Sequence, residues 1–188
     1  MAVVTLWMAG CTTPTRNYVS VEGEALGTFV QVKCNTTLSA DDIEAAIEAI
    51  DGEMKASMSI FDEESRLSRI NNNLTDSLDS HIRFNLTLAA RFNELSDGYY
   101  DVTVKPLTAA WGFAQKSEER QNPNIDSLIE FVGFSKIAIH GDVVRKSDPR
   151  VQLDFNSIAK GYVVDLLAER LEGLGIDNYM VNIGGEIR

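Results

Sequence analysis

Three short segments hold polar residues whose types and spacing suit chemistry. The first is Asp154 to Asp165 (DFNSIAKGYVVD), where Asp154, Ser157 and Lys160 recur every three residues. The pattern reads as a strand ending at Asp154 and a helix beginning near Ser157. Ser157 and Lys160 then lie one turn apart, with the carboxylate just ahead of them. Helix N-termini present free N–H groups and a partial positive charge, which suits phosphate. A carboxylate, a hydroxyl and an ammonium at that point have the means to handle a metal ion and a diphosphate together. The same spacing also serves plain helix capping by Asn156 or Ser157. The second segment is Asp97 to Leu107 (DGYYDVTVKPL), two aromatics followed at once by a carboxylate, a Thr and a Pro. Paired aromatics can sandwich a flat ring system, and a half-buried strand after a tight turn is the plainer reading. The third is Gly23 to Phe29 (GEALGTF), a glycine-bounded turn between strands. Gly161 and Gly184-Gly185 would let backbone approach a ligand closely. The glycine spacings of a Rossmann fingerprint and of a P-loop are both missing.

The elements that position these segments follow from periodicity. Tyr18 to Asn35 reads as two strands around a turn, and Ser39 to Ala56 as a helix with an Ile43, Ala46, Ile47, Ile50, Met54 stripe and a Ser39/Asp42 capping box. Glu64 to Asn71 reads as a short helix, and Phe84 to Leu95 as a longer one closed by Asp97-Gly98. Asp101 to Phe113 starts extended and turns helical after Pro106. Gln115 to Asn124 is a polar loop, Ile125 to Val132 a short helix, and Ile137 to Lys146 a hairpin turning at Gly141-Asp142. A strand at Val151 to Phe155, a helix at Ser157 to Leu171 and a strand at Tyr179 to Ile183 complete the order. Helices mixed with short, hairpin-linked strands give an α+β fold rather than a doubly wound sheet.

Composition narrows the function. The 188 residues carry 17 Lys plus Arg against 28 Asp plus Glu, a net charge of −11. That balance argues against a basic surface for nucleic acid and against a polybasic grip on anionic lipid. Residues 39–65 hold nine acids and one base, which supplies −8 of the −11 and reads as the solvated face of one helix and its turn. Two cysteines make no disulfide scaffold, two histidines make no His-rich zinc site, and Cys34 is expected to be a buried lone thiol. The opening MAVVTLWMAG is apolar and uncharged, and Met8-Ala9-Gly10-Cys11 resembles a bacterial lipobox, without a preceding Lys or Arg. Residues 1–18 are therefore expected to be a lipoprotein signal and tether.

Taken together and in order, six segments resemble the ApbE family of FAD:protein FMN transferases: ALGT at 25–28, MSIFDEESRLSRIN at 58–71, DGYYDVTVKPL at 97–107, WGF at 111–113, LDFNSIAKGYVVD at 153–165 and YMVNIGGEIR at 179–188. The resemblance implies an ApbE-like fold with a largely antiparallel sheet over residues 19–188. It implies transfer of FMN from FAD to a Thr or Ser hydroxyl of a target flavoprotein, with release of AMP and dependence on Mg2+. It places FAD contacts at Leu26 (usually Met in the family), Phe61 (commonly Tyr), Tyr99, Tyr100, Asp101, Asp154 and Lys160, and a magnesium ligand at Ser157. The targets it implies are flavoprotein subunits of membrane redox complexes. The enzyme would sit at the periplasmic face of the bacterial inner membrane, lipid-anchored through Cys11. No histidine lies in a matched motif, so the general base is expected to be a carboxylate. Family members run well beyond 188 residues and carry further magnesium ligands in a late motif. The chain is therefore expected to be the N-terminal part of such a domain, with Tyr179 to Ile187 as an unpaired sheet edge. A magnesium-dependent FAD pyrophosphatase and an inactive flavin-binding lipoprotein are the alternatives.

Overall fold

A computed structural model describes residues 17–113 and 124–188. The lipobox, nearly all of the tether and the Gln115 to Asn124 loop short of Asn124 itself lie outside the described residues. The fold is α+β, as the order of patterns predicts. Strand β1 (Tyr18–Ala25) pairs antiparallel with β2 (Thr28–Asn35), which pairs with β5 (Tyr179–Ile183), which pairs with β6 (Glu186–Ile187). A separate hairpin joins β3 (Ile137–His140) to β4 (Val143–Lys146). Side chains alternate faces along a strand. Val21, Val32 and Val181 stand opposite one another in register and form a buried row across the sheet. Cys34 is on the same buried face, and burial pushes its thiol pKa up, so it is a packing residue.

Two helices cover that face. α1 (Ala40–Met58) buries the expected stripe of Ile43, Ala46, Ile47, Ile50 and Met54. Its capping box is formed: Ser39 Oγ accepts from the Asp42 N–H, and the Asp42 carboxylate accepts from the Ser39 N–H. α6 (Ala159–Gly173) buries Val163, Val164, Leu167, Ala168 and Leu171 against α1 and β5. Between them in sequence come α2 (Arg66–Asn71), α3 (Ser80–Leu95), α4 (Lys105–Ala110) and α5 (Ile125–Ile129).

Four expectations are corrected. The helix predicted from Phe84 begins at Ser80, because the Asp79 carboxylate accepts from the Ile82 N–H and caps it there. Val151 to Phe155 is not a strand: Gln152 makes a single parallel bridge to Val104, and the flanking backbone is held by a side chain instead. Buried Asn71 donates to the Leu153 carbonyl at 2.9 Å and accepts from the Leu153 N–H at 2.7 Å. The helix predicted from Ser157 begins at Ala159, and no side chain caps it. Finally, β5 is not an edge. It is bonded on both sides, and Val181 and Arg188 exchange backbone hydrogen bonds beyond β6.

Asn71 joins positions 82 residues apart, through two bonds in a dry site. Replacing it with Ala leaves a buried donor and a buried acceptor unpaired. Asn71→Ala is expected to lower the unfolding free energy by about 2–4 kcal/mol. Asn71→Asp restores only the acceptor and does not rescue it. Urea denaturation midpoints, at unchanged slope, check this.

Candidate functional site

The turn between β1 and β2 is the first part of the site. Leu26 and Gly27 both have positive φ, +53° and +69°, as a two-residue I′ hairpin requires. Asn, Asp or Gly is the usual first residue of such a turn, and an L-residue with a branched side chain costs roughly 1–2 kcal/mol there. The Leu26 N–H donates to Asp51 Oδ1 at 2.8 Å, which anchors the turn to α1, and the Leu26 side chain packs partly on the core. Asp51 also pairs with Lys55 one turn on. One acid of the stretch read as a solvated face is thus an anchor.

The second part is the glycine pair after β5. Gly184 has φ +58°, and its N–H donates to the Phe29 carbonyl at 3.0 Å. A Cβ there would lie 3.0 Å from both Thr28 Cγ2 and Thr28 Oγ1, and 3.3 Å from Lys160 Cδ. Only glycine lets the Leu26–Thr28 turn and the Lys160 stem meet over this backbone. Three motifs far apart in sequence therefore converge at one point.

The third part is the segment Val102 to Thr108 with Asp154 to Ser157. Asp154 is 5% exposed. Its N–H donates to the Val102 carbonyl, its Oδ1 accepts from the Asn156 N–H and its Oδ2 accepts from Thr108 Oγ1, all within 2.9 Å. The Asn156 bond makes a tight turn of Phe155 to Ser157 and delays the helix to Ala159. Ser157 thus precedes α6, and Lys160 is its second residue. The two do not share a helix face. Ser157 Oγ lies 3.0 Å from the Tyr100 hydroxyl. Burial raises the Tyr100 pKa, with Asp154 and Asp101 adding to the rise, so the phenol stays neutral and able to donate. Lys105, one turn before Thr108 on α4, has its pKa lowered by burial while Asp154 pulls it back up.

The remaining predicted residues have other surroundings. Asp101 Oδ1 accepts from the Thr103 N–H and Thr103 Oγ1, and its Oδ2 accepts from the Phe134 N–H. Thr103 Oγ1 in turn accepts from the Gly133 N–H at 2.7 Å. This carboxylate latches two loops together. Tyr99 is 95% exposed, whereas Tyr100 is half-buried edge-on to Phe92, so the two rings diverge instead of making a sandwich. Phe61 is exposed in the loop between α1 and α2. Sequence reasoning missed Asp51, Thr108 and Asn71, whose partners lie 25 to 82 residues away.

The site defines a class: an α+β protein in which a tight hairpin and a glycine turn meet the stem of Lys160, and a pre-helix turn shaped by a buried carboxylate sets the Ser157 hydroxyl three residues ahead of that lysine. A model of the ApbE family matches residues 26–188, and the chain belongs to that family. It is 36% identical over 198 residues to the FAD:protein FMN transferase of Haemophilus influenzae, covering 97% of this chain and 57% of that protein. It is 33% identical over 192 residues to the FAD:protein FMN transferase of Vibrio cholerae, with the same two coverages. The chain thus spans a little over half the length of these curated relatives. Among solved structures, the flavin transferase ApbE from Vibrio cholerae superposes with a TM-score of 0.86 at 30% identity, covering 92% of this chain and 59% of that one. The apo flavinyl transferase ApbE of Pseudomonas stutzeri gives 0.82 at 29%, covering 92% and 60%.

Gly184→Ala is expected to destabilise the protein by about 1–3 kcal/mol, from the left-handed backbone and the Thr28 contact together. Adding Thr28→Ala should recover the contact part and leave the backbone part. Thermal midpoints of the two single variants and the double variant separate them.

Proposed function

We propose that this chain forms the dinucleotide-binding part of an FAD:protein FMN transferase. The observation that carries the proposal is the meeting of Thr28, Gly184 and the Lys160 stem at one point, with Ser157, in contact with Tyr100, three residues ahead of Lys160 in the turn that Asp154 shapes, in a member of this family. In the proposed reaction, a Thr or Ser hydroxyl oxygen of a target flavoprotein attacks the FMN phosphorus of FAD. The bond from that phosphorus to the bridging oxygen breaks, AMP leaves with the electron pair, and the hydroxyl proton passes to a base.

Each residue has a role that follows from its surroundings. Lys160, crossing over Gly184, faces the diphosphate with its ammonium and offsets charge that grows on the leaving group. The Tyr100 and Ser157 hydroxyls supply neutral donors beside it. Asp154 fixes the turn that presents Ser157, while Leu26 and the exposed rings of Tyr99 and Phe61 offer apolar surface to the isoalloxazine and adenine. Asp101 holds the Tyr100 loop in place. The donors present fit magnesium in kind, since a Ser hydroxyl and a carboxylate are hard oxygens, and Ser157 would hold the ion with phosphate and water oxygens. When bound, magnesium neutralises phosphate charge and orients in-line attack. The family membership and the lipobox-like start support a protein anchored by Cys11 at the periplasmic face of the inner membrane, acting on flavoprotein subunits of membrane redox complexes.

The full chain incubated with FAD, magnesium and an acceptor protein is expected to give a fluorescent flavin band on the acceptor in a denaturing gel. FMN released without a labelled band would instead make the protein a pyrophosphatase. Lys160→Ala removes a charge-assisted contact and is expected to weaken FAD binding by about 10- to 100-fold, read by flavin fluorescence titration. Wild-type affinity in that variant would refute this role for Lys160.

A further inference from the structure

The solvent-facing side of α3 is apolar where a surface helix is ordinarily polar. Phe84, Leu88, Phe92 and Leu95 recur at spacings of four, four and three residues, so they share an arc about 80° wide, outside the arc of the buried Ile82, Leu86 and Ala89. Phe84 is 52%, Phe92 42% and Leu95 69% exposed, and Leu88 is half-buried. Single exposed apolar residues are ordinary, whereas a continuous row of them marks an interaction surface. Direct contact joins this row to the proposed site. The Phe92 ring meets Tyr100 edge-on at 5.9 Å, and the Tyr100 hydroxyl lies 3.0 Å from Ser157 Oγ. At the other end of the row, the Phe84 ring stacks at 4.9 Å on Tyr162 of α6.

Charge on this helix also departs from the rest of the chain. α3 carries Arg83 and Arg91 against Glu94, whereas α1 carries six acids against Lys55, in a protein of net charge −11. Arg83 pairs with Asp142, and the exposed Arg91 lies in the row itself, about one turn before Leu95. We propose that this face of α3 docks the acceptor protein of the FMN transfer. An acceptor segment sets apolar side chains on Phe84, Leu88, Phe92 and Leu95 and a carboxylate on Arg91, and its hydroxyl passes Phe92 to reach the Tyr100–Ser157 pair. The proposed transfer needs such a surface, because its nucleophile belongs to a macromolecule that must be held while one oxygen meets phosphorus. From Phe84 to Leu95 the row is about 17 Å long, the span of about five extended residues. A strip of that length and one helix wide is far smaller than the about 800 Å² per partner of a stable complex, which suits an enzyme that must release its labelled product.

The inference rests on the proposed transfer to a protein hydroxyl, and its test separates the two. The full chain is incubated with FAD, magnesium and increasing acceptor protein, and the initial rate of flavin labelling is read in a denaturing gel. Leu95→Glu and Arg91→Glu are each expected to raise the KM for the acceptor about 5- to 10-fold. FAD affinity, read by flavin fluorescence titration, should stay at the wild-type value in both. Arg91→Lys keeps the charge and should keep the KM within about 2-fold. Leu174→Glu, at the far end of α6 and 49% exposed, is the control for adding a carboxylate elsewhere and should change neither quantity. A wild-type acceptor KM in both Leu95→Glu and Arg91→Glu, or an equal rise in Leu174→Glu, overturns the inference and leaves the transferase reading intact. A dimer in sedimentation velocity that Leu95→Glu dissociates assigns the face to a second copy of the chain and also overturns it. FMN released by the wild-type protein with no labelled acceptor, or no FAD binding at all, overturns the functional reading and this inference with it.

Discussion

The double hydrogen bond between Asn71 and the Leu153 backbone is the constraint on which the rest of the site depends. Without a strand ladder, the segment Val151 to Ser157 has no regular partner for its N–H and C=O groups. Buried backbone groups left unpaired cost about 1–3 kcal/mol each. Asn71 supplies one donor and one acceptor in the geometry of a peptide group, so it completes the pairing that a neighbouring strand would have given. The Val102 carbonyl takes the next N–H, that of Asp154. With the backbone fixed on both sides of Leu153, the Asp154 carboxylate has one place to go, and it meets Thr108 and the Asn156 N–H there.

Asp154 and Asp101 solve related problems in different ways. Both are aspartates in loops of the site, and both accept from a backbone N–H two residues on. Asp101 accepts from three donors and ties its loop to Gly133–Phe134, so most of its hydrogen-bonding capacity goes to architecture. Asp154 accepts one backbone and one hydroxyl bond and lies near the half-buried Lys105. Carboxylate oxygens have about four lone-pair sites. Two of those on Asp154 and one on Asp101 are therefore not taken by protein donors, although burial leaves little of the Asp154 carboxylate open to solvent.

Local signals were legible in the sequence, and long-range ones were not. The Ser39/Asp42 capping box, the α1 stripe, the β1–β2 turn and the β3–β4 hairpin each depend on residues a few positions apart. The start of α3 was misplaced because Asp79 follows a stretch without apolar periodicity, although its type is that of an N-cap. The strand at Val151 to Phe155 was the natural reading of its apolar run, and it failed because the partner is a side chain 82 residues away. Asp51 looked like one more acid on a solvated helix. Its bond to the Leu26 N–H depends on the packing of α1 on β1, which no spacing encodes. The family resemblance located Lys160 and Ser157, but the geometry that joins them to Gly184, Thr28 and Tyr100 is tertiary.

The net charge of −11 runs against a proposed ligand that carries a diphosphate. The conflict is settled by distance. At physiological ionic strength, charges farther apart than about 8 Å are largely screened. The acids of α1 are mostly solvent-facing, and several are already paired, Asp51 with Lys55 and Glu53 with Arg170. What the proposed diphosphate would feel is set by the groups around the Gly184 turn, where Lys160 crosses, and on α4, where Lys105 is half-buried. Partial burial raises the value of such a cation, because the local dielectric is low and water competes less. It also lowers the cation's pKa, as at Lys105, where Asp154 offsets part of the loss. The carboxylate that shapes the turn thus also helps keep an ammonium charged beside it. A surface that is acidic overall and the proposed phosphate site are compatible because the two are governed by different length scales.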